Sequence, residues 1–140
     1  MKRLSPPQVV GGLLTVVVIA AVAIGMLLLG SPAEERMRRL DERRVQDLAS
    51  IARAVDLFWS RQARLPSSLD ELRSEPGGNV RSKDPSTNNL YEYRSLQAET
   101  YELCAQFKGD SLQPDQATGD GFWSHGTGRQ CFRREARKIR

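Results

Sequence analysis

Apolar side chains change their spacing twice along this chain, and each spacing predicts a different kind of element. From Val9 to Gly30 no charge interrupts the run. At about 1.5 Å rise per residue, a helix of that length matches a hydrocarbon core of about 30 Å. It also exceeds the roughly 7–15-residue apolar region of a cleaved signal peptide. Residues 1–30 are therefore expected to form a cytoplasmic tail and a single transmembrane anchor. Ser31-Pro32-Ala33-Glu34 restarts the helix: Ser31 suits the N-cap, Pro32 the first helical position, and Glu34 can close a capping box. Met37, Leu40, Leu48, Ile51, Val55 and Phe58 then recur at three- and four-residue steps, with Arg44 at the missing step and Val45, Ala52 and Trp59 widening the stripe. A long amphipathic helix is expected over residues 31–65. Its first turns read as a solvated stalk supported by the i,i+4 pairs Glu34–Arg38 and Glu35–Arg39, with packing from Val45 onward and an end before Pro66.

Beyond Pro66 the pattern shortens. Ser67-Ser68-Leu69-Asp70-Glu71-Leu72 reads as a capped short helix that stops before Pro76-Gly77-Gly78. Leu90 to Arg94 and Thr100 to Phe107 alternate apolar and polar residues, the spacing of half-buried strands. They predict an antiparallel hairpin with Tyr91, Tyr93, Tyr101, Leu103 and Phe107 on the buried face and Cys104 on the other. A third short stretch, Gln130-Cys131-Phe132, could be tethered to Cys104. The segment from Gly109 to Gly121 is rich in Gly, Asp, Gln and Pro and is expected as an exposed loop. The expected fold class is α+β: an N-terminal transmembrane helix, then a long amphipathic helix packed on a small antiparallel sheet. Residues 66–132 form the disulfide-linked head and residues 133–140 a basic tail.

Charge changes this picture little. The chain has 140 residues and a formal net charge of +4, carried by Arg36 to Arg44 and by Arg133, Arg134, Arg137, Lys138 and Arg140. Glu34, Glu35, Asp41 and Glu42 interleave the first cluster and dilute any attraction for phosphate, so nucleic acid is not an expected partner. Cysteine usage is more informative. Cys104 and Cys131 lack a CxxC spacing or a second histidine, so one structural disulfide is their simplest use. Closing a loop of that length adds roughly 3–4 kcal/mol. The alternative is two free buried thiols in a cytoplasmic head. Arg36, Arg38, Arg39, Arg43 and Arg44 after the apolar run favour that inward head, whereas the short Lys2-Arg3 tail and the cysteine pair favour an outward one. The expected location is the cell membrane, single-pass, with an extracytoplasmic head. The partners would be the lipid bilayer and other envelope proteins.

Reactive constellations are sparse. His125 is the sole histidine, beside Ser124, but adjacency in sequence does not make a nucleophile and base pair. Gly126 and Gly128 lack the flanking residues of a phosphate loop. Trp59 and Trp123 read as packing residues. Asp110, Asp115 and Asp120 are weak metal candidates, because their five-residue spacing is not that of an EF-hand loop. No catalytic residue, cofactor or small-molecule substrate is expected.

The order of an apolar N-terminal helix, the segment Asp47 to Val55, Leu65-Pro66-Ser67-Ser68-Leu69 and then Asp84-Pro85-Ser86-Thr87-Asn88-Asn89-Leu90-Tyr91-Glu92-Tyr93 resembles type IV pilins. It is more similar still to the major pseudopilins of type II secretion. The resemblance covers residues 9 to 107. It implies a pilin-like head with a structural or protein-interaction role, the alternatives being a pilus or secretion subunit and a cytoplasmic-facing regulatory module. In the family a Gly at the processing site is followed by an apolar residue and, at the fifth mature position, a Glu. Here Gly12 is followed by Leu13, Leu14, Thr15, Val16 and Val17, so the resemblance implies an uncleaved anchor.

Overall fold

A computed structural model describes residues 6–29, 31–76, 78–111 and 121–139. Its elements in chain order are α1 (Pro6–Leu29), α2 (Pro32–Gln62), α3 (Leu69–Ser74), β1 (Glu92–Ser95), β2 (Thr100–Phe107) and β3 (Gly128–Glu135). They divide into two compact units, residues 1–36 and 37–140.

The first unit corrects the membrane expectation. Among the described residues no helix is long and apolar enough to cross a membrane. Of the expected ends of the span, Gly30 and the side chain of Val9 lie outside the described residues. The single-pass, signal-anchor expectation is therefore not met among the described residues. What α1 does present is apolar surface on every side, with Leu13 66% and Met26 70% exposed.

The second unit is built on α2. Leu48, Ile51, Val55 and Phe58 are buried at the expected spacing, with Ala52 and Ala54 beside them. Burial starts earlier than Val45, however, because Asp41 and Arg44 are also enclosed. A stripe of apolar residues could not announce a turn that is buried by charge pairing. The helix ends at Gln62, where Ala63 turns into the left-handed region (φ 51°) and its N–H reaches the Trp59 carbonyl. In the next segment Ser68 caps α3 by accepting from the Glu71 N–H, while the Glu71 carboxylate accepts from the Ser67 N–H and hydroxyl and from Arg64. Those bonds hold the Glu71 carboxyl down to about 2, the Arg64 guanidinium contributing most. Gly78 is required by closeness rather than by conformation. A Cβ there would lie 1.8 Å from the Leu72 carbonyl oxygen.

The sheet is antiparallel throughout, in the order β1-β2-β3. Along β2, Tyr101, Leu103, Ala105 and Phe107 are buried toward the core, and Tyr91, just before β1, is buried with them. Tyr93 is only partly buried, in a tilted ring contact 5.9 Å from Tyr101. Two expectations change at β3. The strand has eight residues rather than three, because its pairing with β2 is continuous from Gly128 opposite Phe107 to Glu135 opposite Thr100. Arg129, Gln130, Arg133 and Arg134 hide it from a hydrophobic reading, since only Phe132 is fully buried. The basic tail is correspondingly short: Arg133 and Arg134 belong to the strand. Beyond it the Arg137 N–H donates to Asp56 and the Ile139 N–H to Ser60, so the chain end is strapped to α2. Phe107, Trp123 and Phe132 are buried in the core, and the exposed Phe122 ring packs edge-on against Trp123, with Arg134 stacked over Phe122 and Trp123.

Because Ile51 and Phe58 carry the helix-to-sheet contact, Ile51→Ala or Phe58→Ala is expected to cost about 2–5 kcal/mol. Gln46→Ala, on the exposed side of α2, should change stability by under about 0.5 kcal/mol. Denaturant titration of the oxidised protein separates the two classes, and equal losses at all three positions would contradict this packing.

Candidate functional site

The densest polar chemistry lies where α2 meets two loops. Arg44 is completely buried and its guanidinium divides between two carboxylates: Nη1 donates to Asp41 Oδ1 at 2.5 Å, while Nε and Nη2 donate to Asp84 Oδ2 and Oδ1 at 2.5 and 3.1 Å. Such a two-pronged fit uses the planar fork that distinguishes arginine from lysine. Each carboxylate in turn holds backbone. Asp41 accepts from the Lys108 and Gly109 N–H groups at the end of β2, and Asp84 from the Ser86 and Thr87 N–H groups of the Asp84-Pro85 turn. One guanidinium thus fixes two loops that lie forty or more positions beyond it in the chain.

Electrostatics follow the same geometry. Burial pushes the Asp84 carboxyl up, but the Arg44 hydrogen bond and the two turn amides outweigh it and bring it to about 2. Arg44 is raised, first through its bond to Asp84, against the opposing effect of burial. Asp47 behaves in the opposite way: burial raises its carboxyl although it accepts a 3.0 Å bond from the Tyr91 hydroxyl. Burial likewise raises Tyr91, with Asp47 adding to the effect. The sequence does not mark this cluster as a unit. Arg44 stood out as a gap in the apolar stripe, and Asp84 as the start of a turn, but nothing in their spacing pairs them.

The residues singled out by their chemistry are dispersed. Asp110 is engaged as a loop clasp, accepting from the Thr127 N–H and hydroxyl at 2.7 and 2.9 Å; Asp115 and Asp120 lie outside the described residues. The His125 ring stacks on Phe107 at 3.7 Å between centroids, with Nδ1 enclosed and without a partner among the described residues. Its backbone N–H, not its ring, bonds the Ser111 hydroxyl, and Ser111 in turn contacts Ser124. Among the described residues no hydrogen bond joins a serine hydroxyl to an imidazole nitrogen. Trp123 is buried and Trp59 packs, partly buried, on the core.

Cys104 and Cys131 do meet. They are directly opposed in the β2–β3 register, 4.1 Å apart at Cα, and are joined by a disulfide. Glu102 places a carboxylate oxygen within 4.8 Å of both sulfurs, but sulfurs bonded to each other offer no thiolate to a metal. The Ala136 N–H donates to the Glu99 carbonyl, which sets the alternation of ladder bonds and makes Cys104–Cys131 a non-hydrogen-bonded pair, the close type of cross-strand neighbour. Arg129 runs beside the bond: its Nε and Nη2 pair with the two Glu92 carboxylate oxygens at 2.9 and 2.7 Å, and Nη2 also lies 3.5 Å from Cys104 Sγ. A groove of roughly 150 Å³ between Ser67–Asp70 and Leu90, Tyr91 and Tyr93 is smaller than the roughly 300–1,000 Å³ of ordinary ligand pockets.

Two consequences of the Arg44 cluster can be measured. Arg44→Met strands two buried carboxylates and is expected to cost about 3–5 kcal/mol in thermal or denaturant unfolding, with Arg44→Lys intermediate. Asp84 is depressed in the folded state, so its contribution is complete above the ordinary carboxylate value of about 3.9 and is lost as pH falls toward 2. Stability should fall across that interval in the native chain. Asp84→Asn should lose stability at neutral pH and flatten the acid limb; an unchanged acid limb would contradict the assignment.

In comparison with known proteins, the chain matches no protein family, no curated protein and no solved structure.

Proposed function

We propose that this protein is a structural or protein-interaction subunit, with a pilin-like α+β head and an apolar helix that associates with other protein. The observation that carries the reading is α1. Val10, Leu13, Leu14, Val16, Val17, Val18, Ile19, Val22, Ile24 and Met26 are all more than half exposed, a contiguous apolar surface that soluble monomers rarely leave uncovered. The head supports it from the other direction. Its buried ionic groups are used to hold loops against α2, and its small sheet packed on a long helix has the order of elements that the pilin resemblance implies. The Cys104–Cys131 disulfide further supports a head on the oxidising, extracytoplasmic side of the envelope rather than a cytoplasmic regulatory module.

Sedimentation of the full chain tests the reading. The native chain is expected to form assembled species, and Val17→Lys with Ile19→Lys should dissociate them at least tenfold more readily without shifting the head's melting temperature. A monomer at all concentrations, indifferent to both substitutions, would overturn the proposal. Recovery of Cys104 and Cys131 as free thiols from the native host would overturn the proposed location.

A further inference from the structure

We propose that Cys131 is a thiol-exchange site, at which a protein dithiol of the CxxC class opens the Cys104–Cys131 bond by attacking Cys131 and expelling Cys104. The two sulfurs are bonded to each other but are not equivalent. Cys104, on the central strand β2, is 1% exposed, whereas Cys131, on the edge strand β3, is exposed to solvent. An attacking thiolate has access to the second and not to the first. The departing sulfur is also distinguished, because Arg129 Nη2 lies 3.5 Å from Cys104 Sγ and Glu92 grips the same guanidinium by both oxygens. A fixed cation beside a sulfur favours that sulfur as thiolate, and the better thiolate is the better leaving group. The Glu102 carboxylate lies 3.8 Å from the same Cys104 sulfur and opposes this effect, while Glu102 itself stands opposite Arg133 in the register. Charge around the bond is thus nearly balanced, and accessibility together with the placement of Arg129 sets the direction of attack.

The exchange balances as follows. The partner's thiolate forms an S–S bond to Cys131 Sγ as the Cys104–Cys131 bond breaks, and the electron pair of that bond passes to Cys104 Sγ. The partner's second thiolate then attacks its own sulfur in the mixed disulfide, closing the partner's disulfide and releasing Cys131 as a thiolate. The dithiol loses two electrons and the protein disulfide gains them, each released thiolate taking its proton from water. The product is a β3 strand held to β2 by its ladder alone.

The test uses the oxidised full chain under folding conditions, with 2-mercaptoethanol as a limiting probe, N-ethylmaleimide as the quench and peptide mapping as the readout. Mixed disulfide at Cys131 with alkylation at Cys104 is expected in at least tenfold excess over the reverse. A CxxC protein whose second cysteine is replaced by serine should be trapped at the same position. Adducts on Cys104, or an even distribution, would overturn the proposal. Arg129→Gln keeps both cysteines and is expected to slow exchange several-fold at neutral pH, with the rate recovering in Arg129→Lys. An unchanged rate in Arg129→Gln would overturn the part assigned to the guanidinium.

Discussion

The bidentate clasp of Arg44 on Asp84, shared with Asp41, is the interaction on which the head depends. An ion pair in water contributes little; this one is enclosed, and each of its members would be a serious liability alone. The three charges make sense only together. Asp41 and Asp84 carry one negative charge each against the single positive charge of Arg44, and the surplus is met by backbone N–H groups of Lys108, Gly109, Ser86 and Thr87. Those donors come from the end of β2 and from the turn ahead of β1. The clasp therefore sets where both ends of the hairpin stand against α2, and the apolar contacts of Leu48, Ile51, Val55 and Phe58 fill in below it.

The sheet then divides the molecule's chemistry between two faces. Toward α2, Tyr101, Leu103 and Phe107 supply the core, with Phe132 and Trp123 closing one end. Toward solvent lie the disulfide, Glu92, Glu102 and Arg129. The pleat alone accounts for the separation, since successive residues of a strand point to opposite sides. Its effect is to set a covalent bond between the central strand and an edge strand on the accessible face, where the bond holds β3 in register although Phe132 is its only fully buried residue.

A chain of this design concentrates its unsatisfied surface in one place. The buried charges of the head are used internally, and the backbone N–H groups of Arg137 and Ile139 bond Asp56 and Ser60 of α2. In α1 the apolar side chains point outward in every direction. Apolar surface of that kind is covered at a gain in free energy by any protein surface of matching shape, which is the physical basis for reading the molecule as a component of something larger.

Periodicity alone determined much of the head. The three- and four-residue steps from Leu48 to Phe58 identified the buried side of α2, Pro66 and Ser67-Ser68 marked its end and the start of α3, and alternation in Thr100–Phe107 identified β2 and its inward face. Such patterns are legible because helices and strands repeat over a few residues. Tertiary structure decided what is not periodic. The pairing of Arg44 with Asp84, the full length of β3 and the docking of the C-terminal residues on Asp56 and Ser60 each join positions remote in the chain. The apolar run marks the opposite limit: it identified the helix, but composition could not establish a span, and no described helix is long and apolar enough to cross a membrane. Local spacing specifies local geometry; which distant groups meet depends on the packed fold that brings them together.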